Sequence, residues 1–293
     1  MKTTVIGLGL IGGSMALDLR KAGIATEIVG VDLNPENASK AIKLGLVDKI
    51  EDEGKAISTA DLVILAIPVT ALSQLLPSVL DVVKKKAVVI DTGSTKRMIC
   101  RSIAVHPKRG QFVASHPIAG TENSGPEAAF EGLFKAKTNI ICEQEKSSKE
   151  ALALAEKIFS VLGMNTIFME PEEHDKHVAY VSHLSHVSSF LLGQTVLDIE
   201  RDEKNIFALA GSGFASTVRL AKSSPDMWAP IFEQNAEFLS QALLEYIMHL
   251  QKFQYYLMKR DGKELKRIMK DANRIREILN GIEYKQINQV QEK

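Results

Sequence analysis

The sequence predicts an α/β protein in which a doubly wound parallel β-sheet is followed by an all-helical region. Three observations support this fold class. Short β-branched apolar runs alternate with stretches of helical length through the first half of the chain. A glycine-rich turn directly follows the first of these runs, and from about residue 170 onward only helical patterns occur. With 293 residues, 45% of them hydrophobic, the chain is long enough for two domains.

Seven short apolar runs are the strand candidates. They are continuously apolar rather than alternating, which is typical of parallel strands that are buried on both faces. Helical patterns lie between them, for example over residues 13–21, which Gly23 ends, and over residues 70–83. The candidate strands are residues 3–6, 27–32, 62–67, 87–91, 112–115, 138–142 and 165–168.

Only helical patterns occur from about residue 170 to about residue 279. The stretch EPEEHDKHVAYVSHLSHVSSFLLGQTVLDIE keeps a helical period without a break, and the segments AGSGFAST and SSPDM interrupt the helices that follow. The apolar faces of these helices exceed what one small bundle can bury, so we expect contact with a second subunit. The predicted division is a sheet domain over residues 1–169, a helical domain over 170–281 and a frayed tail over 282–293.

Composition excludes several classes of function. Lysine plus arginine and aspartate plus glutamate each number 36, so no net charge recruits nucleic acid or an anionic membrane. The longest apolar run, residues 62–69, is interrupted by Pro68 and is too short to span a bilayer. No secretory signal precedes the first strand, and the two cysteines, Cys100 and Cys142, suggest no disulfide framework. We therefore expect a cytoplasmic protein.

The stretch TVIGLGLIGGSMA carries a dinucleotide-binding motif. Gly7, Gly9 and Gly12 form G-x-G-x-x-G after the first strand and at the start of a helix, where backbone N–H groups favour a pyrophosphate. Asp32 ends the second strand twenty residues after Gly12, where its carboxylate would accept from both ribose hydroxyls and repel a 2′-phosphate. The pattern predicts a Rossmann-type domain that binds NAD rather than NADP. The alternative is three glycines that serve a tight turn only.

Two further strands end in small and polar residues, in LAIPVTA and IDTGSTK. The carboxyl ends of parallel strands line the crevice where ligands bind, so both segments are expected there. Asp91 and Ser94 could instead serve only as a helix cap and a turn former. The predicted cofactor-binding residues are Gly7, Leu8, Gly9, Leu10, Ile11, Gly12, Asp32, Ile67, Pro68 and Thr92.

The segment ASHPIAGTENSG follows the next strand candidate and contains a histidine. His116 should emerge at the same carboxyl edge, beside the nicotinamide, where an imidazole suits proton abstraction from a hydroxyl that loses hydride. Glu122 is placed to orient this histidine or to bind substrate. The alternative is a histidine that only bonds the backbone of the loop.

Taken together, the motifs resemble the prephenate dehydrogenase family of tyrosine biosynthesis. The glycine loop, AIPV, DTGSTK, SHPIAGTENSG, HDKHVAYVSHLSH and GSGFASTVRLA occur in order over nearly the whole chain. The resemblance implies that His116 is the catalytic base and that Ser94 hydrogen-bonds His116 or the substrate hydroxyl. It also implies that Glu122 is a gate or substrate contact, that His186 and Arg219 bind substrate from the helical domain, and that this domain forms a homodimer.

The activity implied is the NAD-dependent oxidative decarboxylation of prephenate to 4-hydroxyphenylpyruvate, without a metal. Arogenate is the nearest alternative substrate, and a two-domain 3-hydroxyacid dehydrogenase or a non-catalytic dinucleotide sensor is more distant. The three histidines His177, His183 and His186 could suggest zinc, but no cysteine is near and a neutral pair at a domain interface is commoner. The alternative for Arg219 is a surface salt bridge.

Overall fold

The computed structural model describes residues 1–203 and 205–281, and its central feature is an eight-stranded sheet. The strand order is β3-β2-β1-β4-β5-β6-β7-β8. Its first six strands follow the order of a doubly wound dinucleotide-binding sheet, which confirms the predicted fold class. The strands are β1 (Lys2–Ile6), β2 (Glu27–Val31), β3 (Lys49–Ile50), β4 (Leu62–Leu65), β5 (Val88–Asp91), β6 (Phe112–Pro117), β7 (Thr138–Cys142) and β8 (Asn165–Met169).

Helices connect most of the strands and form most of the chain after β8. A π-helix, Ala179–His183, joins two of them without a break in the backbone spiral. Such π-turns are rare and often lie at functional sites. The α-helices are α1 (Leu10–Lys21), α2 (Pro35–Lys43), α3 (Glu53–Thr59), α4 (Val69–Val82), α5 (Arg97–Ser102), α6 (Lys149–Val161), α7 (Pro171–Val178), α8 (Leu184–Glu200), α9 (Ser212–Thr217), α10 (Pro225–Gln234), α11 (Ala236–Met258) and α12 (Gly262–Ala272).

Two details of the sheet differ from the sequence prediction. β3 was not predicted, because two residues are too short to form a recognisable strand pattern. β7 pairs with β6 in the antiparallel direction, whereas the other neighbouring strands are parallel. The connection fits this direction: residues 118–137 contain a single turn of 3-10 helix and lack the α-helix that usually joins parallel neighbours.

The core lies on both faces of the sheet, as continuous apolar strands require. In β4, Leu62 and Ile64 pack on the face covered by α1 and α6, whereas Val63 and Leu65 pack on the face covered by α4. All four side chains are fully buried. Burial of a leucine or valine side chain contributes about 1.5 to 3 kcal/mol, so these alternating contacts hold the strand ends in place. The site at the carboxyl edge therefore rests on a rigid support.

Contacts divide the chain into two compact units, Met1–Ala236 and a second that begins at Glu237. The first unit contains the sheet and also α7 to α10, because Trp228 and Ile231 of α10 join the core on the α4 side. The predicted functional division at residue 169 is a separate matter and stays a prediction. The predicted tail, residues 282–293, lies outside the described residues.

The second unit consists of α11 and α12 among the described residues. Along α11 many apolar side chains are exposed, including Leu244, Met248, Leu257 and Met258. Although α11 has 23 residues, no described helix combines the length and apolar character needed to cross a membrane. An exposed apolar face of this size is typical of an interface with another protein surface.

Candidate active site

The glycine loop between β1 and α1 forms an open cradle. Gly7 has a φ of +93°, and a Cβ atom at this position would lie 2.3 Å from the Ala66 carbonyl oxygen. A Cβ at Gly12 would lie 2.0 Å from the carbonyl oxygen of Gly7, so both positions require glycine. A Cβ at Gly9, in contrast, would meet no atom within 4 Å. The loop thus closes tightly on the protein side and leaves free space in front of the helix.

The start of α1 is suited to an anion. Gly9 is the N-cap residue, no side chain caps the helix, and its first turn contains no acidic residue. The first N–H groups of a helix lack intrahelical acceptors and carry the positive end of its dipole. A pyrophosphate in the free space before Gly9 would satisfy these groups. Of the other loop residues, Leu8 and Leu10 are buried and Ile11 is partly exposed.

Asp32 lies beside this loop, directly after β2. Its Oδ2 accepts from the Leu8 backbone N–H at 2.9 Å, and its Oδ1 accepts from the Asn34 N–H at 2.9 Å. A carboxylate offers about four acceptor positions, so positions remain for ribose hydroxyls. The cradle at Gly9, the uncapped helix and this carboxylate fit NAD.

The remaining predicted cofactor residues lie at the ends of β4 and β5. The Ile67 side chain lies 2.9 Å from the position of a Cβ at Gly7, which places it against the glycine loop. Pro68 is exposed, and the Thr92 N–H donates to the Leu65 carbonyl at 3.0 Å. After β1 the chain continues to β2 on one side, and after β4 it continues to β5 on the other side. The ends of these two neighbouring strands therefore border the crevice at which doubly wound sheets bind ligands.

His116 lies near the end of β6 on the same edge of the sheet. It is partly exposed, and its Nδ1 lies 2.8 Å from Nε2 of His174, with the two rings in an edge-to-face arrangement. Burial lowers the pKa of His116 well below its usual value, and repulsion from His174 and His183, whenever those rings are protonated, and from the Lys96 ammonium lowers it further. The imidazole is therefore neutral at physiological pH and can accept a proton.

The partner of His116 was missed by the sequence analysis. His174 and Asp175 are both buried, and His174 Nδ1 lies 2.8 Å from Asp175 Oδ1. Asp175 also accepts from the backbone N–H groups of Lys96, at 2.7 Å, and Arg97, at 2.9 Å. A signal did exist: residues 171, 174, 175 and 178 lie on the buried stripe of α7, and an unexplained histidine and aspartate on such a stripe imply partners.

A buried ion pair joins the ends of β5 and β6. Lys96 and Asp91 are fully buried, and the Lys96 ammonium donates to Asp91 and, at 2.6 Å, to the Ser115 carbonyl. Asp91 also accepts from the Ser115 N–H at 2.9 Å. These bonds shape the loop that carries Ser94. Ser94 is partly exposed and makes no hydrogen bond with the residues that the structure describes, so its implied contact with His116 stays a prediction.

Glu122 and Arg219 are paired with each other. Arg219 Nη1 donates to Glu122 Oε2 at 2.9 Å, and their side chains are 51% and 28% exposed. The side chain that contacts His116 at hydrogen-bond distance is His174, and Glu122 bonds the arginine. The pKa of Glu122 is lowered, chiefly by a backbone hydrogen bond and also by Arg219. An exposed pair of this kind is weak, so a carboxylate ligand can compete for the guanidinium.

Two histidines, one at the end of the π-helix and one in the first turn of α8, lie in different environments. His186 stacks on Trp228 with ring centroids 3.5 Å apart, and its Nδ1 lies 3.0 Å from the Ser182 carbonyl oxygen, leaving the opposite ring edge for a ligand. His183 is buried, accepts from Asn235 Nδ2 at 3.1 Å, and has its pKa lowered to about 4 by burial. Over residues 1–203 and 205–281, no group of three or more side chains of the metal-binding types is arranged to hold a metal ion.

Comparisons with known proteins point to one family. Two family models match the chain: "Prephenate dehydrogenase, nucleotide-binding domain" over residues 15–168 and "Prephenate dehydrogenase, dimerization domain" over residues 170–271. The prephenate dehydrogenase of Bacillus subtilis (strain 168) is 33% identical over 287 residues, which cover 94% of this chain and 76% of the relative.

Two solved structures are similar over almost their full length. Prephenate dehydrogenase from A. aeolicus, in complex with hydroxyphenyl propionate and NAD+, has a TM-score of 0.86 and 31% identity, with 95% of this chain and 98% of that chain covered. Synechocystis arogenate dehydrogenase has a TM-score of 0.74 and 28% identity, with 95% of this chain and 100% of that chain covered.

Proposed function

The chain belongs to the prephenate dehydrogenase family, and from that premise we propose how its own residues carry out the NAD-dependent oxidative decarboxylation of prephenate to 4-hydroxyphenylpyruvate. The observation that carries the proposal is the position of His116. Its imidazole is neutral and partly exposed, and it lies at the carboxyl edge of the sheet that also bears the glycine loop. This is where a base must lie if it is to reach a substrate beside the nicotinamide.

The reaction needs one proton acceptor and one hydride acceptor. Prephenate has a ring hydroxyl opposite a ring carboxylate. His116 accepts the hydroxyl proton, the carbinol carbon becomes a carbonyl carbon, and NAD supplies the acceptor for the hydride that leaves this carbon. The carbon–carbon bond to the ring carboxylate then breaks, carbon dioxide departs, and its bonding electrons complete the aromatic ring. Because the ring itself accepts these electrons, the scheme requires no metal.

The substrate is a dianion and therefore needs fixed cations. The Arg219 guanidinium offers a planar fork that matches a carboxylate, and its present partner is the partly exposed Glu122. We infer that a substrate carboxylate replaces Glu122 on this fork, which makes Glu122 the gate. His186 is the second proposed substrate contact, and its stacking on Trp228 holds the ring in one orientation. Ser94 is the proposed hydrogen-bond partner of the substrate hydroxyl or of His116.

For Asp32 we predict a change in cofactor preference. Asp32→Asn retains an acceptor for the Leu8 N–H but removes the charge, so NAD binding should weaken and NADP should be discriminated against less. The measurement is KM for both cofactors at saturating prephenate. Asp61→Asn is a matched control, because Asp61 also accepts a backbone N–H but lies at the opposite end of the strands. An unchanged ratio of NAD to NADP efficiency in Asp32→Asn would assign this carboxylate to loop structure alone.

Arogenate is the second candidate substrate, because an arogenate dehydrogenase is among the similar structures. It carries an ammonium where prephenate carries the side-chain keto group, whereas both family models that match the chain and the 33% identical relative are named for prephenate. We therefore propose prephenate as the preferred substrate. The test is NADH absorbance with NAD and either compound, and absence of turnover with both would contradict the proposed activity and favour a non-catalytic dinucleotide-binding protein.

We also propose a homodimer formed through the helical region. The model matched by residues 170–271 is that of a dimerization domain, and α11 presents a row of exposed apolar side chains. A second copy would bury them in a symmetric interface. Light scattering should give twice the mass of the chain, and a monomeric mass at micromolar concentration would contradict the proposal.

A further inference from the structure

We propose that His174 is a positioning residue that holds His116 in the tautomer required of a base, a role that rests on the proposed function of His116. The neutral imidazole of His116 has one N–H and one lone pair, and only the nitrogen with the lone pair can accept the substrate proton. The bonds around His174 leave that lone pair on Nε2 of His116. Nothing in the roles proposed so far uses His174 or Asp175.

The direction of each hydrogen bond follows from Asp175. The backbone N–H groups of Lys96 and Arg97 can only donate, so both carboxylate oxygens of Asp175 are acceptors. The contact of 2.8 Å between Asp175 Oδ1 and His174 Nδ1 then requires a proton on Nδ1. Burial lowers the pKa of His174, so its ring is neutral and its Nε2 carries a lone pair.

The contact between His174 and His116 then fixes the tautomer of His116. His174 Nε2 lies 2.8 Å from His116 Nδ1, and because Nε2 is an acceptor, His116 Nδ1 must carry the proton. In neutral His116 the lone pair is therefore on Nε2. When the His116 ring takes the substrate proton, its Nδ1–H still donates to His174. The negative charge of Asp175 lies on the far side of the His174 ring.

Because His174 is buried, it can act only through His116 and not by touching the substrate. His174 is 0% exposed and Asp175 1% exposed, so neither can touch a substrate, whereas His116 is partly exposed. Asp175 is itself held from a third side, because the Asn235 amide donates to its backbone carbonyl at 2.7 Å. His174 thus acts through His116, as outer partners of ligating histidines do when they fix the tautomer and orientation of the ring.

Two substitutions at His174 separate positioning from general structure. His174→Phe preserves a planar ring but removes the acceptor, whereas His174→Gln places an amide oxygen near the position of Nε2 and restores it. We expect kcat to fall roughly 10- to 100-fold in His174→Phe and to recover in large part in His174→Gln. KM for prephenate and the Kd for NAD should stay within about twofold, since neither ligand touches this residue. His177→Phe is the control, because His177 is an exposed histidine on the same helix, α7.

Two kinetic outcomes would overturn the proposal. Wild-type kcat in both His174 variants would mean that His116 needs no partner. A joint change of kcat, KM and NAD binding in both variants, with a lowered Tm and no difference between glutamine and phenylalanine, would mean that His174 only supports the fold.

The tautomer itself can be measured without turnover. In protein labelled with 15N-histidine, the ring nitrogen shifts of His116, assigned by their loss in His116→Asn, should report a proton on Nδ1. In His174→Phe this proton should move in part to Nε2. A proton on Nε2 in the wild-type protein would overturn the positioning role, whatever the activity. The correct tautomer in a protein that does not oxidise prephenate would instead overturn the proposed function and leave the positioning intact.

Discussion

Replacing His116 with asparagine should lower kcat by roughly 10²- to 10⁴-fold, or about 3 to 5 kcal/mol in the activation barrier, because general-base catalysis contributes this much. The side-chain amide of asparagine coincides with the Nδ1 side of imidazole and can still donate to His174, so the substitution removes the proton acceptor at Nε2 while retaining the internal bond. Steady-state kinetics with prephenate and NAD will give the ratio of the wild-type kcat to that of His116→Asn.

KM should change little in His116→Asn, since the anionic groups of the substrate are held by other residues. A Kd for NAD equal to that of the wild type serves as the control for folding. If kcat of His116→Asn remained within about threefold of wild type, the substrate proton would go to another group.

The pH dependence of the wild-type enzyme follows from the lowered pKa of His116. Burial disfavours the imidazolium, and the Lys96 ammonium, together with any charge on His174 or His183, disfavours it further. The active form is the neutral ring, so activity is present above this pKa and is lost as the pH falls through it. We expect kcat/KM, measured between about pH 5 and pH 8, to stay level through the usual range of histidine and to decline only below it. A midpoint at or above about 6.5 would contradict the predicted environment of the ring.

Replacing Arg219 with alanine should raise KM for prephenate about 30- to 5,000-fold, which corresponds to a loss of roughly 2 to 5 kcal/mol in the free energy of substrate binding. The physical reason is that a substrate carboxylate would lose a bidentate, charge-assisted partner. The half-exposed guanidinium places the expected effect toward the lower end of this range. Arg219→Lys restores the charge without the fork and should recover only part of the loss.

Glu122 provides the matched comparison for Arg219. If Glu122 only occupies the guanidinium fork until substrate arrives, Glu122→Gln should leave KM unchanged or lower it, and a raised KM would make Glu122 a direct substrate contact. NAD binding, measured by fluorescence, should be unaffected in the variants at both positions. An Arg219→Ala variant with weakened NAD binding and normal KM for prephenate would assign this arginine to the cofactor site.

The parts of the site that the sequence predicted without the family resemblance depend on local patterns. The glycine motif, the strand before it and Asp32 at the end of the next strand could be recognised because their spacing along the chain reflects one short βαβ unit. In the structure Gly7 and Gly12 have no room for a Cβ and Asp32 bonds the loop itself, and the contacts of these residues with a cofactor stay a prediction. The position of His116 at the carboxyl edge was predictable in the same way, because strand ends of a parallel sheet share one edge.

By itself the sequence determined the doubly wound fold, the dinucleotide cradle and the edge at which His116 emerges, since apolar periodicity and glycine spacing are local properties. Only the tertiary structure decided which groups bond that histidine and the arginine. His174 lies 58 positions from His116, and Arg219 lies 97 positions from Glu122. The first pair requires α7 to pack beside the start of α5, and the second requires the 3-10 helix that begins at Arg219, which packs on α8, to lie beside the loop after β6. These placements depend on packing summed over the whole core. The type of one side chain does not predict its hydrogen-bond partner. A donor and an acceptor come within about 3 Å of each other only when the positions of both backbones allow it.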